Sequence, residues 1–464
     1  MGDREDYNKW AEIVGDSDWK WDGERGVKQR LRKIERQHLD MTEMHAKYLD
    51  ITSLESHSKD GMVDLTFDQE WPKVGTLTFE AAKELGVTRK YSPSRARPLA
   101  ADANQMIWNG DMNTGHPRGW GLVPSTFYQG SRVTSSRAYL ASPPKNFTIL
   151  TEKVVTKVLF DKSKKAIGVQ TSSGSKYIAN KEVILSAGAI DSPRILLLSG
   201  IRLEAELSRI PILVIHNLLG VGKNLKDHPI CTITLLLKPR EKVGTQDLDP
   251  LHPLYNVGVQ MPSAWLSPPA IYASEEYAAL DEETKVRLLK VPLIEFGTNN
   301  LPMTVRDLQE GTEVISFFAG VMNPQSCGGV TLSSANPLDP PVIDLNFCSH
   351  PYGKRAGIEG FRSLMEFSGL PTYAAITESR IEGPFGDSDE EIREHCKRSI
   401  GPIYRFGGTC KMGNESDEMC VVDMEFKVRG ARGLRVVDHA VAPLMSNNHT
   451  QSTCYLIVSP HFQV

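Results

Sequence analysis

The feature that most constrains the fold is a strand, turn and helix packed into Lys181–Ile201. Lys181–Ser186 (KEVILS) carries a continuous apolar strand, and Ala187, Gly188 and Ala189 close it. Small residues directly after a buried strand let another group approach the backbone, and a helix that follows can pack back onto the sheet. The spacing places Asp191 or Ser192 as the helix cap and Pro193 in the first turn. A second strong strand, Leu434–Val437, comes near the far end, followed by a loop and an apolar helix over Thr453–Val458. The chain therefore reads as mixed α/β, with a strand of one fold returning late in the sequence.

Between these markers the texture changes several times. Residues 4–40 look helical, because Tyr7, Trp10, Ala11 and Val14 recur at helical spacing, as do Val27, Leu31 and Ile34. Residues 85–135 are rich in Gly, Pro, Ser and Asn, which implies long ordered loops. Phe147–Leu150, Val154–Phe160 and Ala166–Gln170 are short strand-like runs. Further on, Thr232–Leu237 and Val314–Val321 read as strands, and Ile358–Phe367 and Asp389–Ser399 as helices.

With 464 residues the chain exceeds what one core usually holds, so two packed domains are expected. Its net charge of −4 offers no basic face for a phosphate backbone, which sets nucleic acid aside. The basic stretch Arg25–Arg36 reads as the solvated face of an amphipathic helix. The seven cysteines are scattered without a C-x-x-C pair or zinc-ligand spacing, a pattern that suits free thiols in a reducing compartment and no metal. The amino terminus is polar and charged, unlike a secretory signal, and no apolar run reaches the roughly 18 residues that span a bilayer. A cytoplasmic location is the provisional expectation.

Four stretches carry a resemblance. Gly188–Ile201 reads GAIDSPRILLLSGI, Leu219–Pro229 reads LGVGKNLKDHP, and Tyr404–Gly413 reads YRFGGTCKMG. Val421–Tyr455 contains LRVVDHAVAP and NNHTQSTCY. Together with Ser131–Leu140 and Gly328–Phe347, they span about residues 4 to 458 in a consistent order. In all of them the chain resembles the glucose–methanol–choline (GMC) flavin oxidoreductases.

The resemblance implies FAD as cofactor and a small-molecule alcohol as substrate, with hydride passing to the flavin as a base removes the hydroxyl proton. It implies an incomplete Rossmann-like FAD-binding domain beside a substrate domain built from an antiparallel sheet and helices. Val155 matches the position whose backbone holds the adenine. Asp438 and His439 match positions lining the pyrophosphate and ribityl chain. Thr450 and Gln451 match those beside the flavin pyrimidine, where backbone N–H groups can stabilise negative charge. Asp227 and His228 match positions that are structural in the family. His449 matches one of the two polar catalytic positions, and an imidazole there can serve as base or hydrogen-bond donor. The other position, usually histidine, is Arg405. A guanidinium stays protonated, so Arg405 is no general base. It is open to stabilising an alkoxide, to anchoring a substrate carboxylate, or to marking a protein that has left the usual oxidation.

None of the 37 glycines belongs to a G-x-G-x-x-G, the motif with which the family's FAD grip begins. The opening residues resemble a segment lying beyond that motif, so roughly a hundred residues of βαβ fold would be expected before them. An incomplete gene sequence, a shortened paralogue without FAD, and a chain completed by a separate piece all stay open. The expected partition is a loop and substrate region at 1–139, FAD-binding parts at 140–229 and 421–464, and a substrate-binding domain at 230–420. The leading expectation is alcohol oxidation in fungal-type secondary metabolism. Its rivals are a lyase-like member with a structural flavin and an inactive remnant that binds a partner. Oligomeric state and electron acceptor are not written in the sequence.

Overall fold

The computed structural model describes residues 2–39, 42–50, 54–55, 57–67, 73–87, 89–90, 107–202, 210–239, 241, 262–303, 305, 308–309 and 311–459. Two hydrophobic cores organise them. The first lies on a large sheet whose strands run in the order Thr377–Glu382, Pro229–Leu237, Val314–Val321, Ile294–Asn299, Ser263–Leu266, Gly119–Gly121, Ile107–Trp108 and Arg89–Lys90. Neighbouring strands from Thr377–Glu382 through Gly119–Gly121 are antiparallel. One face of the sheet is apolar: Ala264, Ile294, Phe296, Phe317 and Ala319 point into a core shared with helix Pro351–Ser368, which contributes Phe361, Leu364 and Phe367. The period of two then turns Ser263, Trp265, Glu295, Gly297 and Phe318 to the opposite face. That second face carries the cavity described below.

The other core gathers around the parallel pair Val183–Leu185 and Leu434–Val436, crossed by helix Gly188–Leu198. A three-stranded antiparallel meander, Val155–Phe160, Ala166–Thr171 and Lys176–Ile178, lies beside it. The amino-terminal helix Arg4–Val14 packs into this same core through Tyr7, Trp10 and Val14, whereas Tyr48, Phe79 and Trp120 belong to the core of the large sheet. The fold is thus mixed α/β, as the sequence indicated.

Several sequence expectations change in detail. The helix after Ser186 begins at Gly188, so neither Asp191 nor Ser192 caps it and Pro193 lies inside it. Proline has no N–H to give the carbonyl four residues back. Ala189 O instead accepts a hydrogen bond of 2.6 Å from the buried Thr409 hydroxyl, so the interior proline leaves no orphan. Residues 4–40 are not one helical run: helices Arg4–Val14 and Val27–Ile34 are separated by a short 3₁₀ turn at Ser17–Trp19. Phe147–Leu150 forms no strand, and Phe147, Ile149 and Leu150 are each about half exposed. By contrast Asp389–Ser399 is a helix over the expected span, capped by Ser388 and acidic in its first turn. Residues 242–261, residues 91–106 of the loop-rich stretch and residues 460–464 lie outside the described residues. No helix among the described residues is long and apolar enough to cross a membrane.

Candidate active site

The polar face of the large sheet borders a cavity of about 500 Å³. Trp265, Gly297 and Phe318 line it from the sheet, Met112 and Phe127 from the loops, and Asn448, His449 and Gln451 from the carboxy-terminal segment. Gly297 has a steric reason to lack a side chain. A Cβ there would fall 2.2 Å from the Phe318 ring, which therefore occupies that space.

His449 stands over two cross-strand neighbours, Trp265 and Glu295. Its ring lies 5.9 Å from the indole, and its Nε2 lies 2.7 Å from a carboxylate oxygen of Glu295. The imidazole is half exposed toward the cavity, whereas Glu295 is 1% exposed. Arg405 approaches the same carboxylate from behind, donating through both terminal nitrogens at 2.6 and 3.1 Å. Burial by itself would push the Glu295 carboxyl up. The Arg405 charge, with the hydrogen bonds from Arg405 and from His449, outweighs that cost and holds it well below the usual carboxylate range. His228 flanks the guanidinium, its Nδ1 3.3 Å from Arg405. Burial, reinforced by the Arg405 charge, lowers His228 to about 3, so it stays neutral and Nδ1 accepts.

The turn carrying Arg405 is fixed by Asp227. Its carboxylate accepts from the backbone N–H groups of Tyr404 and Arg405 at 3.0 and 2.9 Å, and of His228 at 2.8 Å. Tyr404 adopts φ +60°, a left-handed conformation that those bonds help hold. The loop carrying His449 is fixed from the other end of the chain. Asp6 accepts from the backbone and side-chain nitrogens of Asn447 at 2.7 and 2.9 Å. Tyr7 accepts from Asn448 Nδ2 at 3.2 Å.

The structure brings His449 and Gln451 to the cavity, with Thr450 between them opening helix Gln451–Val458, a helix no side chain caps. Gln451 accepts from the Thr126 hydroxyl at 3.3 Å. Arg405 reaches the site but not the cavity wall, because its guanidinium is turned onto Glu295. The Asp438 carboxylate accepts from Gly188 N and Ser192 Oγ, after the strand Val183–Leu185, and from Ala440 N. His439 donates Nδ1–H to Phe406 O at 2.8 Å, and its buried Nε2 has no hydrogen-bond partner among the described residues. Val155 opens the meander half-buried and lies outside the cavity lining. Sequence reasoning did not find Glu295, Trp265, Asp6 or Tyr7. One signal was available for Glu295: a single acid inside the apolar run LIEF.

These residues fit a flavin. An uncapped helix start beside the cavity offers free backbone N–H groups, and the orphaned His439 Nε2 is a buried acceptor awaiting a donor such as a sugar hydroxyl.

Comparisons with known proteins agree. Family models described as GMC oxidoreductase match residues 1–230 and 324–457. The chain is 29% identical over 477 residues to "Glucose dehydrogenase [FAD, quinone]" of Drosophila melanogaster, covering 98% of this chain and 70% of that protein. It is 26% identical over 485 residues to "Patulin synthase" of Aspergillus clavatus, covering 98% and 74%. A solved structure of formate oxidase superposes with a TM-score of 0.80 at 23% identity, covering 98% of this chain and 79% of that one, and shares the fold.

Proposed function

The chain belongs to the GMC oxidoreductase family, and on that premise we propose that it oxidises a small-molecule alcohol with FAD as cofactor. FAD supplies the two-electron acceptor that takes the hydride from the alcohol carbon. Residues of this chain do the rest. His449, at the cavity wall, takes the hydroxyl proton as the C–O bond becomes C=O. The helix opening at Thr450–Gln451 would favour negative charge on the ring system through its N–H groups. His439, with its unpartnered Nε2, and the Val155 backbone would hold the remainder of the cofactor, while Asp438 braces the Gly188 turn.

The observation that carries this reading is the buried Glu295 carboxylate on His449, the arrangement that steadies a base. It also bears on substrate. With Arg405 bound through both terminal nitrogens to Glu295, its guanidinium is not the group that would anchor a substrate carboxylate; Arg132, which lines the cavity, is the cation a substrate would meet. The likeness to patulin synthase supports an alcohol from secondary metabolism. Seven free cysteines support a reducing, cytoplasmic setting.

Anaerobic mixing of the flavin-loaded protein with a panel of benzylic and aliphatic alcohols tests the proposal. Bleaching of the flavin band by one of them supports it, and His449→Ala should slow that bleaching roughly 100-fold or more. Turnover of a cyanohydrin with the flavin band unchanged would favour the lyase-like reading. A protein that takes up no flavin would sink both.

A further inference from the structure

We infer that Glu295 is a positioning residue that fixes which nitrogen of His449 takes the proton, and that Arg405 acts only as the counter-ion of Glu295. The inference rests on the proposed role of His449 and adds the atom. A neutral imidazole carries one N–H, and a carboxylate can only accept. Nε2 faces Glu295 at 2.7 Å, so Nε2 holds the hydrogen and Nδ1 keeps the lone pair. Nδ1 forms no hydrogen bond with another described residue, on a ring half exposed to the cavity. The proton acceptor is therefore Nδ1. When it takes the alcohol proton the ring becomes an imidazolium, whose charge Glu295 stabilises through Nε2–H. FAD, when bound, would take up the hydride, so that the alcohol, losing that hydride and the proton on Nδ1, becomes a carbonyl compound.

Arg405 enters one step further back. Glu295 is 1% exposed, and a lone buried carboxylate would be driven to its protonated form. A protonated Glu295 could offer its own O–H to Nε2, which would move the ring hydrogen to Nδ1 and block the base. The fork of Arg405, held by Asp227 through the backbone and flanked by neutral His228, prevents this. Replacing an imidazole by a guanidinium at position 405 thus leaves one base in the site, and that base depends on a pair lying beneath it.

The test reads the imidazole directly. The chain is labelled with nitrogen-15 histidine, and the His449 signals are assigned by their loss in His449→Gln. In the neutral form of His449, a protonated Nε2 and an unprotonated Nδ1 are expected, with or without flavin. In Glu295→Met/Arg405→Met, which replaces the pair by apolar side chains and protects the fold, the two nitrogens should move toward averaged shifts. Arg405→Lys should keep the single tautomer. With flavin bound, the double variant should lose roughly 10- to 100-fold in kcat/KM. A wild-type His449 protonated on Nδ1, or a single Nε2–H tautomer surviving in the double variant, overturns the inference. Neither result bears on whether alcohols bleach the flavin, so the two proposals fail separately.

Discussion

Tyr7 and Thr453 lie 446 residues apart in the chain, and their hydroxyls share a buried hydrogen bond of 3.0 Å. Asn448 Nδ2 donates into the same pair, to Tyr7 Oη at 3.2 Å and to Thr453 Oγ at 3.0 Å. The first helix of the chain is therefore a brace for the loop that presents His449. Tyr7→Phe removes the hydroxyl while keeping the ring that packs against Trp21. The expected loss of stability is about 1–3 kcal/mol for the two hydrogen bonds removed, measured by urea unfolding. Amide exchange at residues 446–449 should quicken in the same variant. Unchanged exchange there would remove the first helix from the site's support.

The Arg405–Glu295 pair makes a prediction about stability separate from chemistry. Both partners are buried, at 8% and 1% exposure, so removing one leaves an uncompensated charge. Arg405→Met should cost about 3–5 kcal/mol at neutral pH, whereas the double change to methionine should recover most of that loss. Equal stability of the single variant and the wild type would show that the pair contributes nothing to the folded state.

A second buried imidazole, His57, is clasped between two acids. Its Nδ1 lies 2.9 Å from Glu35 and its Nε2 3.0 Å from Asp111, joining the strand Glu35–Gln37 to the loop that carries Met112 to the cavity. Burial works against its charge, but Asp111 and Glu35 outweigh burial and raise it to about 10. A raised folded value means the stabilisation is complete below the unfolded value near 6.5 and disappears as pH climbs through about 10. The wild type should therefore lose stability between about pH 7 and about pH 10. His57→Gln leaves two buried carboxylates facing a neutral group. It should be weaker at neutral pH and should regain stability on acidification, when one of them protonates. Parallel pH–stability curves for the two proteins would rule the clasp out.

How much was legible in the sequence depended on whether the deciding contact was local. Asp389–Ser399 was readable because its cap, Ser388, and its acidic first turn sit inside the segment. The strand Val183–Leu185 was readable because an apolar run closed by small residues signals itself. Phe147–Leu150 misled for the complementary reason: a strand needs a neighbour, and an apolar run does not say whether one is there. The motif around His449 marked the proposed base, but the carboxylate that holds it comes from residue 295 and the cation behind that from residue 405, 110 positions apart. Nothing in either stretch names the other. Arg405 looked like a catalytic substitution because its partner was out of view.

Pro193 offers the last prediction, because sequence reasoning placed it in a first turn and the structure places it in a helix interior. Its missing N–H leaves Ala189 O without the usual partner, and Thr409 supplies one at 2.6 Å from a fully buried hydroxyl. Thr409→Val keeps the shape and removes the donor, so the buried carbonyl should cost about 1–3 kcal/mol. Pro193→Ala restores an N–H that can reach Ala189 O within the helix. The double variant should therefore be more stable than Thr409→Val alone, with a coupling of about 0.5–3 kcal/mol between the two sites in urea unfolding. Strictly additive effects would mean that the threonine does not stand in for the absent helix bond, and that the interior proline is tolerated for another reason.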